Sequence, residues 1–222
     1  MKVLFSLMLS ISLITVFNSC IKPEVIPPPT TTVDLNCSFS GFINGTNTEI
    51  TQNVLGYNAY GSNEAIPFPS PQLSRRLYYS EIKSVVQSQS IKLSLGSQLW
   101  DASVSTFPSL TMFNDFHSVN ANMNIPFKDY TTLISSNPAS LGMNIEYRDN
   151  NNVLWKSKET DPGQSGVYTI LKQASDNSGD YSLFECSFSC LVWKFDETTQ
   201  TFVNPEVSIP ITNAKFKGWF LR

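Results

Sequence analysis

The sequence is poor in charge. Only 15% of its 222 residues are Asp, Glu, Lys or Arg, against about 25% in an average soluble domain. The 15 basic and 18 acidic residues leave a net charge of −3, with no Lys/Arg cluster. A nucleic-acid partner needs a basic stripe to displace counterions, so that class is set aside. Histidine occurs once, as His117, and every Ser-His or Cys-His scheme would have to pass through it. Gly163-Gln164-Ser165-Gly166-Val167 lacks the second glycine of a nucleophile elbow, because Val167 stands in its place. Zinc ligation by Cys186, Cys190 and His117 is opposed by spacing, since a three-residue gap on an extended strand is wrong for a knuckle. The acids Asp149, Asp161, Asp176, Asp180 and Glu197 fall in turns or on polar strand faces. Asp176-Asn177-Ser178-Gly179-Asp180 lacks the distant glutamate of an EF-hand and reads as a turn. No metal and no cofactor is expected, and a carboxylate-based glycoside hydrolase is the least favoured class.

What replaces charge is 30 Ser, 17 Thr and 19 Asn, a composition typical of exported β-proteins. With a 41% hydrophobic fraction, the chain can bury one sizeable core. Its N-terminus is distinct. Met1-Lys2 gives a positive start, and Val3 to Phe17 is an apolar run broken only by Ser and Thr. That run is too short to span a bilayer, which takes about 20 residues, and has the length of a signal-peptide core. Phe17-Asn18-Ser19-Cys20 resembles the lipobox of bacterial lipoproteins, in which cleavage leaves a lipidated cysteine. Residues 1–19 are therefore expected to be a lipoprotein signal peptide and Cys20 the lipidation site. Ile21 to Thr32 contains Pro27-Pro28-Pro29 and a threonine run, a polyproline-like tether. Residues 20–32 then hold a domain of residues 33–222 off the membrane. Ile21, not Asp, follows the cysteine, which favours the outer membrane.

From Val33 the periodicity is two. Val33, Leu35, Cys37, Phe39, Gly41 and Ile43 share one face, and Asn44-Gly45 ends the run as a hairpin turn. Alternation recurs in Ile91-Leu93-Leu95, Met143-Ile145-Tyr147, Val153-Trp155 and Phe184-Cys186-Phe188-Cys190-Val192, and in the closing Ile209 to Arg222. Asp149 to Asn152 reads as a hairpin loop. Helical periodicity is weak, with a turn or two allowed at Ser80 to Ser90 and at Phe127 to Ser136. The predicted fold is all-β: a single antiparallel β-sandwich or flattened barrel with minor helical turns.

The strand-turn C-S-F-S-G-F-I-N-G, then G-M-N-I-E-Y-R-D-N-N-N-V-L-W at Gly142 to Trp155, Q-S-G-V-Y-T-I at Gln164 to Ile170, F-E-C-S-F-S-C at Phe184 to Cys190 and I-T-N-A-K-F at Ile211 to Phe216 together resemble small lipoproteins of the Bacteroidota that form an uncharacterised family. Ala214 and Asn152 stand where such proteins usually carry glycine. These motifs are turns and core faces, so the resemblance implies a fold and a cell-envelope location and no activity.

Three cysteines remain beside Cys20. Four residues apart on one strand, Cys186 and Cys190 would be about 13 Å apart, too far for a disulfide. Cys37 lies on another apolar face and is a candidate partner for Cys186 or Cys190; three buried thiols are the alternative. Among the aromatics, Trp193 shares its face with Ser187 and Ser189, Trp219 with Lys215 and Lys217, and Phe42 breaks the polar side of the first strand. Trp193, Trp219 and Phe42 are therefore candidate binding aromatics, unless a second layer covers them. The function expected is a lipid-anchored, non-catalytic binding module for a glycan or protein. The alternative is a fimbrillin-like subunit, released near Arg75-Arg76 and assembled by strand exchange.

Overall fold

A computed structural model describes residues 35–119, 122–135, 141–160, 168–175 and 179–222. The expected signal peptide, Cys20 and the tether lie outside them. The described residues belong to one compact unit running from Asp34 to Arg222.

The described residues form twelve strands. β1 (Ser38–Ile43) and β2 (Thr46–Thr51) form a hairpin. Its turn residues Asn44 and Gly45 have φ of 49° and 77°, the left-handed pair that a two-residue turn between twisted strands requires. β3 (Tyr57–Ile66), β4 (Ser74–Ser84) and β5 (Ser90–Trp100) make a meander. Helix α1 (Leu110–Val119), the short β6 (Asn124–Ile125) and a single turn, α2 (Tyr130–Leu133), lead to the hairpin of β7 (Gly142–Arg148) and β8 (Leu154–Ser157). β9 (Tyr168–Ser175), the 16-residue β10 (Tyr181–Asp196), β11 (Thr201–Phe202) and β12 (Ser208–Leu221) complete the chain.

The sheet order is β2-β1-β12-β10-β8-β7-β5-β4-β3, every neighbouring pair antiparallel. The sheet is curled into a half-barrel, so the all-β expectation holds. β10 is long because it serves two partners on one edge: Ser182 to Ser187 pair with β9, and Val192 to Phe195 with β8. The alternation read from the sequence is the inner face of this curl. Phe184, Cys186, Phe188, Cys190 and Val192 of β10 are buried, as are Ala214, Phe216 and Phe220 of β12. Phe184 stacks on Phe220 at 4.4 Å. Burying one such side chain contributes about 1.5–3 kcal/mol.

The curl brings β3 and β4 back toward β12. β1 pairs with β12 only as far as Lys217, so Gly218 to Leu221 lack that neighbour. Side chains take over from the ladder there. Trp219 N donates to Ser80 Oγ at 3.2 Å, and Asn63 Nδ2 donates to the Leu221 carbonyl at 3.0 Å. Buried backbone groups need such partners, and two polar side chains supply them where no strand can. Close approach also needs Gly61: a Cβ there would stand 1.9 Å from the Trp219 ring.

Three readings need correction. Ser80 to Ser90 is the end of β4, a turn and the first residue of β5: Ile82 is buried in the ladder, and Val85 and Val86 stand exposed in the turn instead of forming a helix stripe. The helical turn does occur in the second place foreseen, as α2, while α1 was not foreseen. The disulfide from Cys37 to Cys186 or Cys190 is absent, and all three are buried thiols. The topology explains why. Cys37 leads into β1, and β12 lies between β1 and β10. Two strand spacings put the Cα atoms about 9.5 Å apart, beyond disulfide reach. Burial pushes the Cys37 thiol up to about 12, against opposing contacts from Ser80, the Trp219 backbone and Lys217. A thiol held protonated is inert.

Candidate functional site

The half-barrel has two ends, and β10 and β12 run from one to the other. At the end where β1, β5, β7 and β8 meet, the β1–β2 hairpin and the β7–β8 hairpin form the walls of an open cleft of about 480 Å³. Asn47, Thr48 and Glu49 come from one wall, Asp149 and Asn150 from the other, and Gln89, Tyr147 and Trp155 lie between.

Strand register places these aromatics. Trp155 of β8 pairs with Tyr147 of β7, which pairs with Ile91 of β5, so the three form one cross-strand row. Polar atoms at the end of this row are tied together. Tyr57 Oη donates to Gln89 Oε1 at 2.7 Å, and Gln89 Nε2 donates to Tyr147 Oη at 3.1 Å. Burial raises the pKa of both tyrosines, assisted at Tyr57 by Tyr147; at Tyr147 the Gln89 hydrogen bond opposes the rise and Asp149 adds to it. Both are neutral hydroxyls at ordinary pH. Asp149 organises its hairpin. Its Oδ1 accepts from the Asn151 and Val153 amides at 2.9 Å each, and its Oδ2 accepts from Trp155 Nε1 at 3.1 Å. The loop is thus an Asx turn that also aims the indole. A carboxylate accepting three N–H groups is committed to structure. The remaining carboxylate of the cleft, Glu49, is exposed.

The aromatics singled out from the sequence do not converge. Trp219 pairs with Leu183 and Trp193 with Ser208, so they sit ten residues apart along β10, about 33 Å. Trp219 packs against the core, over Gly61 and edge-on to Tyr181 at 5.1 Å. Trp193 is half-buried with the Lys158 ammonium 4.4 Å from its ring centre, and Lys158 also covers Phe202 at 4.3 Å. Phe42, 41% exposed, stands on β1 opposite Thr212. Cys20 lies outside the described residues. The residues that do converge are Gln89, Tyr147, Asp149 and Trp155. Sequence reading gave Tyr147 and Trp155 to the core, where they are indeed buried, and Asp149 to a solvated turn. The available signal was that two turn signals, Asn44-Gly45 and Asp149 to Asn152, each follow or precede an aromatic-bearing strand end; it does not say that the two turns face each other.

The opposite end is closed by α1. Phe113 and His117 are buried, and His117 stacks on Phe220 at 5.1 Å and meets Phe113 at 4.5 Å and Tyr78 at 4.9 Å. Both ring nitrogens of His117 are buried with no hydrogen-bond partner. Burial pushes its pKa down to about 3, so it is a neutral packing element. Among the described residues no cluster of His, Cys, Asp and Glu could hold a metal. No helix among them is long and apolar enough to cross a membrane. No protein-family model matches the chain, and neither a curated protein nor a solved structure does.

Proposed function

We propose that the chain is a lipid-anchored, non-catalytic binding module of the cell envelope, attached to the outer membrane through Cys20, and that its ligand is an uncharged glycan taken into the open cleft. The lining of that cleft carries the proposal. Amide, hydroxyl and carboxylate side chains of Asn47, Thr48, Glu49, Gln89 and Asn150 surround the buried rings of Tyr147 and Trp155, a dense set of hydrogen-bonding groups for the hydroxyls of a sugar. Asp149, fully engaged by its hairpin, is poorly placed to transfer a proton, which supports binding over hydrolysis. The fimbrillin-like alternative draws less support. Arg75 and Arg76 lie within β4, paired on both sides, and Arg75 is 1% exposed. A protease would have to open the sheet to reach them.

A glycan array with the full chain in detergent tests the proposal. Saturable binding that drops at least about tenfold in Asn47→Ala and Glu49→Ala, and is unchanged in Trp193→Ala, supports the cleft. Loss in Trp193→Ala alone would move the site to the outer face, and no binding to any glycan would end the reading. For the anchor, Cys20→Ala should abolish palmitate labelling and release the chain from membranes.

A further inference from the structure

The closed end carries a second site of opposite character. Along β4, Arg76 precedes Tyr78 and Ser80 on one face, and Arg222 follows Phe216 and Phe220 on one face of β12. Tyr78 and Phe220 form a ring layer with centroids 6.3 Å apart. Arg76 and Arg222 stand just outside that layer, where with Tyr78, Phe107 and Pro108 they line a cavity of about 230 Å³.

The two guanidiniums are incompletely matched. Arg222 Nη2 lies 3.3 Å from Asp180 Oδ1, whose side chain is 57% exposed, while Arg222 Nε is buried with no hydrogen-bond partner. Arg76 is half-buried and has neither a carboxylate nor a hydrogen-bond acceptor for its guanidinium among the described residues. Burial lowers its pKa, and both arginines act electrostatically on the Tyr78 hydroxyl, so the three groups share one environment. Two like charges facing one partly desolvated cavity repel each other, and desolvated cations without partners are costly. An anion between them removes both penalties. Guanidinium forks match a planar carboxylate, which can accept from both at once. The rest of the lining is the apolar surface of Phe107, Pro108 and the Tyr78 ring, which suits a hydrocarbon body and not a hydrated inorganic ion.

We propose that this cavity binds a small organic carboxylate, its anionic head between Arg76 and Arg222 and its apolar body against Phe107 and Pro108. Benzoate is a fitting probe, since a cavity of about 150 Å³ already holds a benzene ring. This site is independent of the cleft and does not rest on glycan binding.

Calorimetric titration of the full chain with benzoate, benzyl alcohol and inorganic phosphate tests it. Benzoate should bind saturably at one site, and benzyl alcohol, of the same shape without the charge, at least about tenfold more weakly. Arg76→Gln should weaken benzoate about tenfold or more without lowering the melting temperature, because the cation it removes has no partner to lose. Arg76→Lys keeps the charge and loses the fork, and should weaken benzoate several-fold; it decides the matter if Arg76→Gln does not fold. The proposal is overturned if benzoate does not bind, if benzyl alcohol or phosphate binds as tightly, or if both Arg76 variants bind benzoate like the parent chain.

Discussion

The two ends of the half-barrel are finished in opposite ways from the same strands. At one end α1 inserts Phe113 and His117 against Tyr78 and Phe220, with no hydrogen-bond partner for the imidazole nitrogens. At the other end no helix of the described residues intervenes, and the cross-strand row of Trp155, Tyr147 and Ile91 runs out into a ring of amides and hydroxyls. A sheet that curls without closing must cover its apolar interior at both ends. A helix does so by packing Phe113 and His117 between the strands. Hairpins with Asn, Asp and Gln do so while leaving room for a polar ligand. The difference puts buried ring packing at the α1 end and, on the proposed reading, glycan binding at the hairpin end.

That division can be broken first by truncation. Phe113→Ala removes a fully buried ring from the closed end and should cost about 3–5 kcal/mol in denaturant melts. Asn47→Ala, exposed on the cleft wall, should change stability by less than about 0.5 kcal/mol. Comparable costs would mean that both ends are structural. Acid sharpens the comparison next. His117 has a folded pKa of about 3 against an ordinary 6.5, so the unfolded chain takes up a proton that the folded chain refuses. Stability at the closed end therefore falls as pH drops from about 6.5 toward 3, by about 2 kcal/mol at pH 5. His117→Phe should remove that part of the slope between pH 7 and 5. An unchanged slope would show that the imidazole is reached by water. A smaller effect is expected at the cleft: Asp149→Ala frees two amides and the Trp155 indole and should cost about 1–2 kcal/mol, with faster hydrogen exchange confined to residues 149–155.

Much of this was legible in the residues, and the parts that were not have a common cause. Alternation in Phe184 to Val192 marks β10 and its inner face, and Asn44-Gly45 and Asp149 to Asn152 mark two hairpins, because these are local consequences of strand pleat and turn chemistry. Helix α1 was missed because Leu110 and Met112 are apolar yet exposed, which blurs the stripe of Phe113, Phe116 and His117. β3 was missed because Tyr57–Ile66 carries little apolar pattern; its Gly61 is there to admit Trp219, a contact 158 residues away in sequence. The same curl covers Trp219, which local pattern placed on a face with Lys215 and Lys217. The cleft was hidden for a similar reason. Its two walls are separated by about a hundred residues, and only the sheet order brings them together.

Hydrogen exchange of the full chain, with and without the tightest glycan found on the array, tests the central claim most directly. Added protection should fall on the two hairpins, residues 44–49 and 149–152, and on Gln89, with exchange at α1 unchanged. Protection centred on α1, or on the outer face around Trp193 with the hairpins unaffected, would contradict the account.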